Sequence, residues 1–234
     1  MTDNNTSDYI FKAYVVNTQA YDTGERDAGA WLHFPPYAED IFSVFEKIGL
    51  PPDATPDMYF MENYVSNIEG LRLLLPMYGD IDELAALSQG IYDLPPHERG
   101  KLDAIQTTPM RFTALEQFRE YPWNVDCYCL STQLRNDAAL GWNWLEQQGL
   151  TEIPKSCKGA IDPEPFGRYV RERENGIFTE KGYLTLSGDK WLHERPLPRR
   201  EEKPSLKVRL EQTKKECAAR DTKPDKPAKH GPEL

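Results

Sequence analysis

The stretch Ile161–Gly188, IDPEPFGRYVRERENGIFTEKGYLTLSG, decides the fold class. It begins as a helix dense in alternating charge, with Asp162 placed to cap its N-terminus. It then turns through Glu174-Asn175-Gly176, where Gly176 suits a positive φ, into two short aromatic strands that read as a tight hairpin. A helix feeding straight into a hairpin belongs to an α+β arrangement. The stretch holds no Cys, no His and no glycine-rich phosphate loop, so its pattern points to architecture rather than to chemistry.

Working outward, WNVDCYCL (123–130) reads as a strand in which Cys127 and Cys129 point to one face, and NDAALGWNWLEQQG (136–149) as a helix ending at Gly149. These complete a mixed unit over 123–190. Upstream, DIDELAALSQGIYDL has acids in its first turn, PPHERGKLDAIQT starts on prolines at a permitted position, and FTALEQFREY continues the helical series, giving a helical unit over 71–122. The first unit, 8–70, reads strand–strand–helix–strand. DYIFKAYVVNT and AWLHF are joined by the turn-rich YDTGERDAG. A helix with Ile41, Val44, Phe45 and Ile48 at helical spacing stops at Gly49 and Pro51-Pro52, and DMYFMENYV follows. From ERPLPRREEKPS onward Pro, Lys, Arg and Glu dominate. Residues 191–234 are expected to form a disordered basic tail, with a marginal helix over 205–220. The expected fold is α+β and elongated, in three small domains: a small β-sheet with a helix, a helical bundle, and a mixed unit with a hairpin.

Hydrophobic residues make up 39% of the 234, and the mean hydropathy is −0.69, lean for a single core and suited to a body with much exposed surface. Aromatics at 11% argue against wholesale disorder. No apolar run approaches the roughly 20 residues that a membrane span needs. The opening MTDNNTSDY is polar and acidic, unlike a signal peptide, so the expected location is the cytoplasm and the four cysteines are expected as free thiols.

Charge is unevenly spread. Residues 1–150 carry 23 acidic and 9 basic side chains, residues 151–190 carry 7 of each, and residues 191–234 carry 8 acidic and 12 basic. The acids of the first part, Asp22, Glu25, Asp27, Glu39, Asp40, Asp53, Asp57, Glu62, Glu69, Asp80, Asp82 and Glu83, form no single block. Spread over folded elements they make a field that repels nucleic acid and attracts a basic cleft. The plain alternative is ordinary solubility.

Known catalytic patterns are missing. There is no Walker-type loop, no G-x-G-x-x-G after a strand, no H-E-x-x-H and no G-x-S-x-G. His33, His97, His193 and His230 are scattered, and C-x-C is not the usual zinc spacing. The adjacent acids Glu39-Asp40 and Asp80, Asp82, Glu83 read as capping and solvation at helix starts. No catalytic residue, metal or cofactor is assigned, and the chain is not expected to be an enzyme. The basic tail could touch nucleic acid, but it lacks the aromatic interleaving that stacks bases and reads as a solvated extension; the acidic body is not expected to bind DNA directly.

The opening stretch resembles the C-terminal signature of the ArdA antirestriction family, an aromatic-Gly-Arg helix, an Asn/Gly turn and a Phe-Thr…Gly-Tyr hairpin. Here these are Phe166, Gly167, Arg168, Phe178, Thr179, Gly182 and Tyr183. YVVNTQAYDTGERDAGAWLHFP, YFMENYVSNIEGL and NVDCYCL are similar to further family segments in the same order. The resemblance implies a three-domain inhibitor that dimerises through its C-terminal domain. Its carboxylates, here the twelve named above, imitate duplex phosphates in the DNA cleft of type I restriction–modification enzymes. The signature, with Trp142, Trp144 and Tyr169, is then architectural or part of a dimer interface. Its zero net charge suits self-association, and Trp142, Trp144, Tyr169 and Tyr183 are the candidate exposed aromatics. Gly167 would permit close helix approach.

Two other classes stay open on the residues alone. One is an acidic adaptor for another basic DNA-binding protein; the other is a carboxylate-dependent metal hydrolase.

Overall fold

The structure, a computed structural model, describes residues 9–24, 28–148 and 159–194. By internal packing the chain divides into Met1–Arg195 and Pro196–Leu234. The expected tail helix over 205–220 lies outside the described residues.

The first sheet has order β2-β1-β3, all antiparallel, with β1 (Phe11–Asn17) between β2 (Gly29–Phe34) and β3 (Tyr59–Ser66). Alternation decides its faces. Phe11, Ala13 and Val15 are fully buried, and Phe11 stacks on its partner Phe34 with ring centroids 4.7 Å apart. Against β3 the register slips between Tyr14, opposite Asn63, and Val15, opposite Met61. Glu62 is the extra residue of a β-bulge, which lets Met61 and Tyr64 both face the core although they are three apart.

The strand expected to reach residue 18 stops at Asn17, and the turn-rich YDTGERDAG link begins in helix rather than turn. The short helix α1 (Thr18–Asp22) forms there because the buried Asn17 side chain accepts from the N–H groups of Gln19 and Ala20. The same side chain donates to the Ile48 carbonyl at 2.9 Å, tying α1 to the end of α2 (Ala38–Lys47). The start of α2 is fixed by the Tyr37 N–H donating to Asp40 (2.9 Å), and its end by Gly49 at φ 73°.

Three helices follow: α3 (Ile81–Tyr92), capped by Asp80; α4 (Pro96–Gln106); and α5 (Leu115–Glu120). In α3 the stripe Ile81, Leu84, Leu87 and Ile91 is buried. One core runs from Phe11 and Phe34 through Leu84, Ile91, Leu102 and Phe118 to Tyr128 and Leu184.

The second sheet has order β4-β6-β5, with β4 (Tyr128–Ser131), β5 (Ile177–Thr179) and β6 (Gly182–Leu186). The expected strand over 123–130 begins late. Tyr121–Trp123 and Val125–Cys127 are 3₁₀ turns, and the ammonium of buried Lys101 donates to the Val125 and Tyr128 carbonyls (2.7 and 3.0 Å). The two sulfurs therefore do not share a face: Cys127 is buried in the turn and Cys129 is exposed on β4.

Between β4 and β5 lie α6 (Asp137–Gln147) and α7 (Glu164–Glu174). They touch through glycine: a Cβ on Gly167 would strike the Asp137 carbonyl, and one on Gly141 the Pro163 carbonyl. Asp162 caps α7 from one residue outside the N-cap, accepting from the Glu164 N–H at 3.1 Å. At the other end the positive φ falls on Asn175 (51°), not on Gly176. Gly176 is instead needed for space, since a Cβ there would collide with the Tyr183 ring.

Candidate partner-binding surface

Ten of the twelve sequence-selected acids can be placed; Glu25 and Asp27 lie outside the described residues. Asp22, Glu39, Asp40, Asp53, Asp57, Glu62, Glu69, Asp82 and Glu83 are exposed, and Asp80 is half-buried. Several are held in place by local backbone. Asp40 caps α2, Asp80 accepts from the Asp82 N–H at 2.7 Å, and Glu62 is thrown outward by the bulge. Asp57 accepts from the Thr55 side chain and from its own N–H, which keeps its carboxyl below the usual carboxylate range.

What separates these acids from the rest of the chain is pairing. Among the described residues, Glu83 is the only acid before residue 94 in an ion pair, with Arg119 at 3.4 Å. The described cations of that region are Lys12, Lys47 and Arg72. Beyond it many carboxylates are matched: Glu98 with Lys101 (2.8 Å), Asp103 with Lys181 (2.6 Å), Asp137 with Arg171 (2.8 Å) and Glu164 with Arg168 (3.2 Å). Uncompensated negative charge is thus gathered on α1, α2, the 53–57 segment, the outer side of β3 and the start of α3. Sequence reasoning passed over Glu46 and Asp93, which are exposed in the same region. The count of 23 acids against 9 bases over residues 1–150 gives the excess, but not the boundary near residue 94 that the ion pairs mark.

Three acids line one groove. A cavity of about 390 Å³ lies between α2, the 52–56 segment and the start of α3. Ile41, Phe42, Phe45, Ala54 and Tyr59 supply apolar walls, while Asp53, Asp80 and Asp82 also line it. The Tyr59 hydroxyl at its base is pushed above the ordinary tyrosine value by burial and by the nearby carboxylates of Asp80 and Asp82.

The signature residues separate into two sets. Tyr183 is 3% exposed and packs with Leu140 and Val170, its hydroxyl donating to Glu174 at 3.3 Å. It is expected among the exposed aromatics and is a core residue instead, because both faces of the central strand β6 are covered: Leu184 joins the main core and Tyr183 packs with Leu140 of α6 and Val170 of α7. Trp142 and Trp144 are half-buried rather than exposed. Phe178 is half-buried against Tyr183 and beneath Arg171, and Gly182 opens β6 against the Ser131 carbonyl. Facing outward on α7 are Phe166 (38% exposed), Tyr169 (54%) and Arg168. Trp144 stacks on Phe166 (5.9 Å) and meets Tyr169 edge-on (6.3 Å), and Arg173 lies 5.7 Å over the Tyr169 ring.

Among the described residues, no group of three or more His, Cys, Asp or Glu side chains is arranged to hold a metal ion, and no helix is long and apolar enough to cross a membrane. The described surface is that of an acidic α+β protein whose excess of carboxylates over cations lies before residue 94. The sequence profile of the antirestriction protein family ArdA matches residues 13–185, a span that reaches from β1 to β6. The chain belongs to the ArdA antirestriction protein family. No curated protein matches it.

Proposed function

We propose that this chain is a stoichiometric inhibitor of type I restriction–modification enzymes that fills their DNA cleft with carboxylates standing in for phosphates. The observation that carries the reading is the concentration of exposed, unpaired acids before residue 94 in a chain of the ArdA family. Duplex DNA presents a charge every ~1.7 Å of axis, and a basic cleft gains affinity by releasing condensed counterions. Fixed carboxylates make a comparable exchange with no base sequence. They compete best where an enzyme grips phosphate more than base edges.

In this reading the N-terminal and central parts carry the mimic, and the α6–α7 face with Phe166 and Tyr169 joins two copies. Purified protein tests it. Added to a type I enzyme in near-equal amount, it blocks DNA binding, cleavage and methylation. A folded protein that leaves several such enzymes active overturns the reading, and capture of a different basic protein from the host lysate would replace it with the adaptor role.

A further inference from the structure

We infer that the groove between α2, the 52–56 segment and the start of α3 is a socket for one arginine side chain of the partner protein, with Ile41 and Phe42 flanking its stem and Asp53, Asp80 and Asp82 receiving its guanidinium. This rests on the reading of the chain as a ligand for a basic cleft and adds to it a discrete anchor within a distributed charge array.

The chemistry of the lining selects the occupant. The walls are apolar, and Phe42 is 50% exposed at the rim although it lies on the same helix as buried Phe45. A purely apolar ligand would cover three carboxylates that have no ion pair among the described residues, leaving charge desolvated. A metal ion needs carboxylates that converge, and these do not. An anion is repelled. A long side chain with an aliphatic stem and a broad planar cation satisfies both parts of the lining. Arginine does this better than lysine, because its five donors fan outward to separated acceptors and its plane stacks on an aromatic ring. Such pockets, where a cation is desolvated beside an aromatic wall, are where interface energy concentrates.

The test uses the full chain. A nona-arginine peptide and a nona-lysine peptide are titrated by fluorescence anisotropy against wild type, Ala54→Trp, Phe42→Ser, Asp80→Asn/Asp82→Asn and Glu62→Gln/Glu69→Gln. The Ala54→Trp change fills the groove and keeps every charge. Phe42→Ser removes a wall at an exposed position, so it serves if the larger residue disturbs folding. Asn at position 80 retains the helix cap. We expect the groove variants to weaken nona-arginine about tenfold, the charge pair outside the groove lining to weaken it less than about threefold, and nona-lysine to respond mainly to charge. The same variants are then assayed as restriction inhibitors, with the same ranking expected. Equal losses for the two charge pairs, with Ala54→Trp and Phe42→Ser as tight as wild type, overturn the socket. If wild type inhibits in that case, the mimic reading stands without it. If wild type binds nona-arginine through the groove yet inhibits no enzyme, the mimic reading fails and the socket stands.

Discussion

The Arg171 guanidinium holds the Asp137 carboxylate at two points, Nε to Oδ1 at 2.8 Å and Nη2 to Oδ2 at 3.2 Å, and so joins α7 to the first turn of α6. Asp137 also sits where the α6 dipole favours a negative charge, and Arg171 in the last turn of α7 where a positive one is favoured. Arg171→Met should therefore destabilise the protein by about 1 kcal/mol, more than an ordinary surface pair contributes, because the contact is bidentate and half-buried. Urea unfolding of Arg171→Met, Asp137→Asn and the double variant checks this. Additive losses would show that the two groups do not act on each other.

At the adjoining contact, Gly167→Ala should cost about 2–3 kcal/mol even though alanine is the better helix former. The added methyl would enter the space of the Asp137 carbonyl, which is backbone and has no rotamer to yield. Gly100→Ala is the comparison, since a Cβ there meets nothing within 4 Å and α4 should gain slightly. Thermal unfolding of both variants decides. A stabilised Gly167→Ala would mean that α6 and α7 are not in close contact.

This contact shows what the sequence could convey and what it could not. The two-residue period of β1, the 3.6-residue spacing of Ile41, Val44, Phe45 and Ile48, and the helix–turn–hairpin order are local patterns, so they were readable. The need for Gly167 was readable too, because a glycine inside a charged helix calls for a close neighbour. Its partner, the Asp137 backbone, lies 30 residues away and was not. Tyr183 is misjudged for the same reason: the hairpin does not reveal that α6 and α7 cover the second face of β6, so that Tyr183 and its neighbour Leu184 are both buried. Cys127 and Cys129 were read as strand neighbours because nothing local reveals that buried Lys101 holds the preceding segment in a 3₁₀ turn. For the acids, composition gave the excess. The pairing pattern that distinguishes Asp53 from Asp103 depends on long-range contacts such as that of Lys181.

Alkaline pH should unfold the protein through its buried phenols. Burial raises the pKa of Tyr64 and, with added repulsion from Glu98, that of Tyr121, while their hydroxyls donate to the Pro76 and Glu98 carbonyls (2.7 and 3.0 Å). The folded values lie above the unfolded one, so the stabilising term is complete below about pH 10 and is lost as pH rises past it. Each tyrosine held neutral adds a slope of about −1.4 kcal/mol per pH unit above that point. Urea midpoints from pH 8 to 11.5 should be level at first and then fall. Tyr121→Phe should be less stable at neutral pH but fall less steeply. A decline that sets in a full unit below the free tyrosine value would assign the transition to other groups.

We expect a homodimer joined through the α6–α7 face, where Phe166 and Tyr169 are exposed and Trp144 packs against both. Aromatic and Arg side chains are the usual anchors of interface cores, and Arg168 and Arg173 flank these rings. Phe166→Ser/Tyr169→Glu should give a folded monomer. Deletion of residues 195–234 should leave the dimer intact, since the anchors lie elsewhere. Salt gives the sharper test, because the two complexes of this protein should respond in opposite directions. Two copies bring their unpaired acids into one particle and repel, so raising the salt from 0.05 to 0.5 M should strengthen the dimer as the screening length falls through roughly 10 Å. Binding to a basic cleft is an ion exchange and should weaken over the same range. Sedimentation at micromolar protein, run beside the inhibition assay, measures both. A monomer at every salt concentration, or a dimer unchanged by Phe166→Ser/Tyr169→Glu, removes the α6–α7 face as the interface.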